Sequence, residues 1–170
     1  MTLVEEFVSA CAAGDVNDAK SLLEKNPGLL NKVLSGIGET GLMVALLRRR
    51  HSLSRWLLSL PGLDTSVRDD DNMTALHHFC MRYDPPLDIL ITLARLSSWE
   101  TVNIMDCNGD TALDWTGQSS APLYLSWLGA RCMEQNRFSE WEYGSKAIKF
   151  WGNHASTQEK LCWAIAANMR

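Results

Sequence analysis

Asp69-Asp70-Asp71-Asn72-Met73-Thr74-Ala75-Leu76-His77 recurs in altered form as Asp106-Cys107-Asn108-Gly109-Asp110-Thr111-Ala112-Leu113-Asp114. Both stretches open on Asp, carry Asn or Gly three residues on, and reach Thr-Ala-Leu followed by a polar side chain. Asn and Gly tolerate a positive φ and Asp bonds its own backbone, so each stretch is predicted to be a tight turn. Thr74 and Thr111 then stand where helices begin, each hydroxyl serving an orphan N–H of the first turn for roughly 1 kcal/mol. In the turn that follows, Leu76 with Phe79 and Leu113 with Thr116 share a face at i and i+3.

Working outward, Gly38-Glu39-Thr40-Gly41-Leu42 is a looser third copy, and Thr40, Thr74 and Thr111 lie 34 and 37 residues apart. That is the spacing of an array of roughly 33-residue units. The second unit continues with Ala45 and the pair Leu57-Leu58, then stops at Pro61-Gly62, which forbid further helix. The same register upstream finds Phe7, Ala10, Cys11, Gly14, Asp15, Ala19, Leu22 and Leu23, a first unit without its opening turn. In the third unit Asp84-Pro85-Pro86 lengthens the link between helices, and in the fourth Gly117-Gln118-Ser119-Ser120-Ala121-Pro122 predicts a short first helix.

The repeated phrase, its period and the apolar pairs resemble the ankyrin repeat. The resemblance implies an all-α, helix-turn-helix solenoid of four to five repeats joined by hairpin-like loops, with units near 3–34, 35–68, 69–105 and 106–130. Residues 131–170 are then a divergent Trp-rich cap or a degenerate fifth repeat. Trp141, Gly144, Ile148 and Trp151 fall near one helical face, while Ser156 and Glu159 read as a capping box before Leu161, Ile165 and Met169. Two departures stand out in the second unit: Gly41 weakens a helix start, and Arg49 replaces the usual inter-helix Gly.

Composition narrows the function. The chain has 170 residues, 46% of them hydrophobic, and a net charge of −4 with both signs dispersed. That content builds an ordered core, and the charge lacks the footprint that a nucleic-acid backbone requires. Glu5 and Glu6 occupy the place where a secretion signal carries cations, and no apolar stretch has bilayer length, so no membrane association is expected. Five scattered Cys residues without a C-x-x-C pair fit reduced thiols in the cytoplasm or nucleus. Cys11 and Cys162 fall at core positions, whereas Cys107 sits near a loop tip.

Candidate chemistry is sparse. His77, His78 and Cys80 form the one His/Cys cluster, without the spacing of a metal site. His77 occupies the family's structural His position, where it bonds between neighbouring helices and loops; His78 is expected to face solvent. Asp69 reads as the structural Asp of the turn, and Asp70 and Asp71 as a solvated tip. Arg48, Arg49, Arg50, His51 and Arg55 are the one basic cluster, complementing a helix C-terminus and leaving cations over for an acidic partner. No nucleophile motif, phosphate loop or zinc-protease motif occurs, so neither catalytic nor metal nor cofactor-binding residues are assigned.

Ankyrin arrays bind proteins through fingertip turns and the exposed side of their inner helices. Carried onto this chain, the resemblance implies a partner surface of Glu39, Leu47, Arg48, Asp70, Asp71, Met73, His78, Met81, Arg82, Cys107, Asn108, Asp110, Gln118 and Ser119. The apolar members would supply contact and the charges register. The leading expectation is a protein-interaction module, monomeric alone; the alternatives are a regulatory or inhibitory subunit masking a partner's active surface, and a ligand or catalytic role in residues 130–170. Val102-Asn103 also resembles the pair that some ankyrin arrays offer for Asn hydroxylation.

Overall fold

A computed structural model describes residues 2–33, 36, 38–81, 86–112 and 114–116, and these are all-α. Seven helices are present among them: α1 Leu3–Ala13, α2 Val16–Lys25, α3 Gly41–Leu47, α4 His51–Leu58, α5 Ala75–Cys80, α6 Leu87–Leu96 and α7 Trp99–Val102. Short 3₁₀ turns follow at Pro27–Leu29 and Asp114–Thr116. None of the helices is long and apolar enough to cross a membrane. The proposed helices of residues 131–170, the Asp84-Pro85 link and Leu113 lie outside the described residues.

Helices pack in two rows. α1, α3 and α5 touch in succession, and each also touches its own partner, α2, α4 or α6; α2 meets α4, and α4 meets α6. The reason is the apolar patterning of short helices that cannot bury a face alone. Six of the seven residues of α3 and all six of α5 are buried. Phe7, Leu53, Leu57, Leu76, Leu90 and Leu93 form one continuous core across the rows.

Each helix start of the first row is built by a Thr and the residue three positions on. Thr2 N–H donates to Glu5 Oε2 at 2.6 Å and Thr40 N–H to Met43 Sδ at 3.4 Å. Thr74 N–H donates to His77 Nδ1 at 3.1 Å, and Thr111 N–H to Asp114 Oδ2 at 2.8 Å. Carboxylate, thioether and imidazole thus do the same job, satisfying the backbone donor at the cap. The first unit, expected to lack its opening turn, still has this capping box. Among the described residues Thr111 opens a 3₁₀ turn, and its hydroxyl also donates to Asp114 Oδ2 at 2.7 Å.

Gly41, expected to weaken α3, is the first residue of that helix because the neighbouring helix α1 leaves no room for more. A Cβ there would lie 2.6 Å from Phe7 Cε1 and 2.8 Å from Cys11 Sγ. The lost helix propensity is the condition for close packing of α1 on α3.

The ends of the first-row helices also match. Asp15 N–H donates to the Ala10 carbonyl at 3.0 Å and Arg50 N–H to the Ala45 carbonyl at 2.8 Å, the six-to-one bond of a Schellman turn. The left-handed residue of that turn is Gly14 after α1, with φ 82°, and Arg49 after α3, with φ 59°. Arg49 therefore makes the turn that a Gly would make.

Outer loops are tied by Asn31, whose amide donates to the Gly62 carbonyl at 2.8 Å and accepts from Asp64 N–H at 2.9 Å. Between α4 and α6, Arg55 reaches Asp88 at 2.6 Å and holds its carboxyl below the usual range. Both side chains are about half exposed, so this pair contributes little to stability.

Candidate functional site

The two copies of the Asp phrase adopt the same loop. In 69–73, Asp69 N–H donates to the Met73 carbonyl at 3.0 Å and Asn72 N–H to the Asp69 carbonyl at 3.0 Å. In 106–110, Asp106 N–H donates to the Asp110 carbonyl at 2.8 Å and Gly109 N–H to the Asp106 carbonyl at 3.1 Å. The left-handed position falls on Asn72, φ 62°, and Gly109, φ 85°, as the turn chemistry requires.

The leading Asp of each loop is spent internally. Asp69 Oδ1 accepts from Asp71 N–H at 3.0 Å and Met73 N–H at 2.8 Å; Asp106 Oδ1 accepts from Asn108 N–H at 2.8 Å and Asp110 N–H at 3.0 Å. The second oxygen takes a ring N–H nine residues on: His78 Nε2–H for Asp69 at 2.6 Å, Trp115 Nε1–H for Asp106 at 2.9 Å. Burial opposes ionisation of Asp106. The N–H groups of Asp110 and Asn108, the indole and nearby His77 outweigh it and hold the carboxyl below its usual range.

His78, expected to face solvent, is therefore a correction: its side chain is 7% exposed and lies under the 69–73 loop. Its Nδ1 is buried without a hydrogen-bond partner among the described residues. Helical periodicity places His78 away from His77, but α5 has neighbours on that side too. Met73 is the second correction, since it is 7% exposed and unsuited to be an apolar contact for a partner. It is the last residue of a loop whose backbone folds back on Asp69, which turns its side chain inward. The signal for His78 and Trp115 was present: superimposing the two phrases aligns them as N–H-bearing rings at the same distance from Asp.

His77 links units. Because Nδ1 accepts from Thr74 N–H, the neutral ring carries its proton on Nε2, which faces the Asp110 carbonyl at 3.4 Å. Burial pushes its pKa below the ordinary histidine value, against the opposing pull of that carbonyl and of Asp106. The loops themselves are joined by Cys107 N–H donating to the Asp71 carbonyl at 2.8 Å and the Asn72 amide donating to the Met105 carbonyl at 2.6 Å.

What this scaffold leaves outside is a row of tips. Asp70, Asp71, Cys107 and Asn108 are exposed; Glu39 and Asp110 are half-buried. At the other end of the first-row helices, Met81 is 41% exposed, Arg48 is exposed and Leu47 is half-buried. Tips and helix ends thus form two separated groups, at opposite ends of α3 and α5. Arg82, Gln118 and Ser119 lie outside the described residues, and Asn103 is half-buried after the buried Val102.

The thiols divide as their positions imply. Cys11 and Cys80 are buried, Cys107 exposed. Burial pushes Cys11 up to about 12 and Cys80 upward as well, so neither is a ready nucleophile or metal ligand. Among the described residues no group of three or more His, Cys, Asp or Glu is placed to hold a metal ion. The chain matches no family model, and no curated protein is significantly similar to it.

Proposed function

We propose that the chain is a protein-interaction module of the ankyrin type, whose stacked helix pairs present loop tips and inner-helix ends to a partner protein. The observation that carries this reading is the division of labour inside the doubled loop. Asp69 and Asp106 spend both oxygens on their own unit, while the variable positions beside them, Asp70 and Asp71 against Cys107 and Asn108, project outward. Exposed loop residues on a rigid scaffold are where recognition concentrates. The recurring Thr caps, the two helix rows and the Schellman turns at Ala10 and Ala45 support the repeat assignment. In this reading the chain binds and does not catalyse.

The test is capture from native lysate on the immobilised chain, compared with a variant carrying Asp70→Ala, Asp71→Ala and Met81→Ala. A specific partner, identified by mass spectrometry, is retained by the parent and lost by the variant, with the melting temperature unchanged. Equal capture of every protein by both would overturn the surface assignment.

A further inference from the structure

The cations at the α3–α4 turn differ in whether the fold already uses them. Arg50 crosses Gly14, where an added Cβ would meet its Cδ at 2.8 Å, and its Nε–H donates to the Ala12 carbonyl at 2.8 Å. Arg55 donates from Nε and Nη2 to Asp88 at 2.6 and 3.1 Å. Arg48 and Arg49 are exposed and have neither a hydrogen bond from the side chain nor a carboxylate within 4.0 Å among the described residues.

Arg49 is the more telling of the two. It holds φ 59° at the left-handed position of a turn whose counterpart in the preceding unit is Gly14. A Cβ is unfavourable there, and among the described residues no hydrogen bond or ion pair of the guanidinium offsets it. Strain of this kind without a local return points to work done by the side chain elsewhere. The neighbourhood is electropositive: burial first, then Arg49 and Arg55, lower the pKa of His51, with Asp88 opposing. Met81, at the corresponding end of the adjacent helix α5, adds an exposed apolar side chain.

We propose that Arg48, Arg49 and Met81 form a docking site for an acidic peptide segment of a partner protein, its carboxylates meeting both guanidiniums and an apolar side chain meeting Met81. This rests on the interaction-module reading and supplies the partner's chemistry. Guanidinium forks suit paired carboxylates. A polyanion such as nucleic acid is disfavoured, because the two guanidiniums of this site, on a chain of net charge −4, are far from a phosphate-tracking stripe. The acidic tips Asp70 and Asp71 lie at the opposite end of the same helices, so they do not neutralise the site.

The experiment is fluorescence polarisation of the full chain with a fluorescein-labelled peptide EELEELEE, beside its neutral analogue QQLQQLQQ. The acidic peptide binds and releases as salt is raised, whereas the analogue does not bind. Arg48→Glu with Arg49→Glu weakens binding by about tenfold or more. Arg49→Gly supplies the folding control, because it relieves the positive φ: it weakens binding while raising the melting temperature. Equal binding of both peptides, or unchanged affinity in Arg49→Gly, would overturn the proposal. So would tighter binding of anionic vesicles or an oligonucleotide, or a peptide-independent dimer that Arg48→Glu dissolves. If the acidic peptide fails while lysate capture is still lost in a variant carrying Asp70→Ala and Asp71→Ala with Met81 retained, this site falls and the module reading stands.

Discussion

Asp69 and His78 meet at 2.6 Å beneath the loop that Asp69 itself closes, and their side chains are only 5% and 7% exposed. Nine residues separate them, as nine separate Asp106 from Trp115. The Asp that begins each repeated phrase thus pins its loop onto the element that follows, α5 in one copy and the 3₁₀ turn in the other.

Removing that carboxylate strands the donors of the loop and of the ring beneath it. Asp69→Ala and Asp106→Ala each leave two loop N–H groups and a ring N–H without their acceptor, at a cost of about 2 kcal/mol. Asp70→Ala, at an exposed tip, changes stability by less than about 0.5 kcal/mol. Urea unfolding of the three variants measures the contrast, and equal effects would contradict the division between scaffold and tip.

Stability depends on pH through His77. Its folded pKa is lowered by burial, so the unfolded chain binds more protons and stability rises with pH across the histidine range. The contribution is complete above the ordinary histidine value and is lost as pH falls toward the lowered one. His51 is also lowered and acts with the same sign, so the comparison belongs in a His51→Ala background. There, urea midpoints fall between about pH 8 and pH 5, and His77→Gln flattens that fall.

Arg49→Gly is expected to stabilise the chain. The left-handed turn with φ 59° disfavours any residue with a Cβ, and Gly gives back part of the gain as unfolded-state entropy. The net gain is about 0.5–1 kcal/mol, read as a higher melting temperature. A loss would mean that the guanidinium holds the turn after all.

Gly41→Ala runs against helix propensity. Ala is the better helix former by about 1 kcal/mol, yet its Cβ would enter the space of the Phe7 ring and Cys11 Sγ. Overpacking at this contact costs about 1–3 kcal/mol, and Phe7→Leu recovers part of it in a double-mutant cycle. Additive effects of the two substitutions would show that the contact is not shared.

Local chemistry made much of this legible before any tertiary contact. Asn72 and Gly109 mark the left-handed turn residues, Asp69 and Asp106 the loop bonds, and Thr40 and Thr74 the helix starts. These depend on backbone preferences and partners a few residues away, which a repeated phrase displays directly. The capping box at Thr2 and Glu5 was equally visible in the sequence, yet the absence of the Asp phrase in the first unit obscured it.

Which sides of the short helices are buried, and with them the candidate surface, depends on packing between units. His78 and Met73 are inside because loop and neighbouring helices close over them, and Gly41 is small because Phe7 arrives from another unit. Arg50 and Arg55 are occupied, and Arg48 and Arg49 free among the described residues, because Ala12 and Asp88 lie 38 and 33 residues distant along the chain. The all-α elements and their turns are legible in the chain's local patterns, since those follow from contacts within one unit. Burial and free charge are sums over neighbouring units, and no local pattern records them.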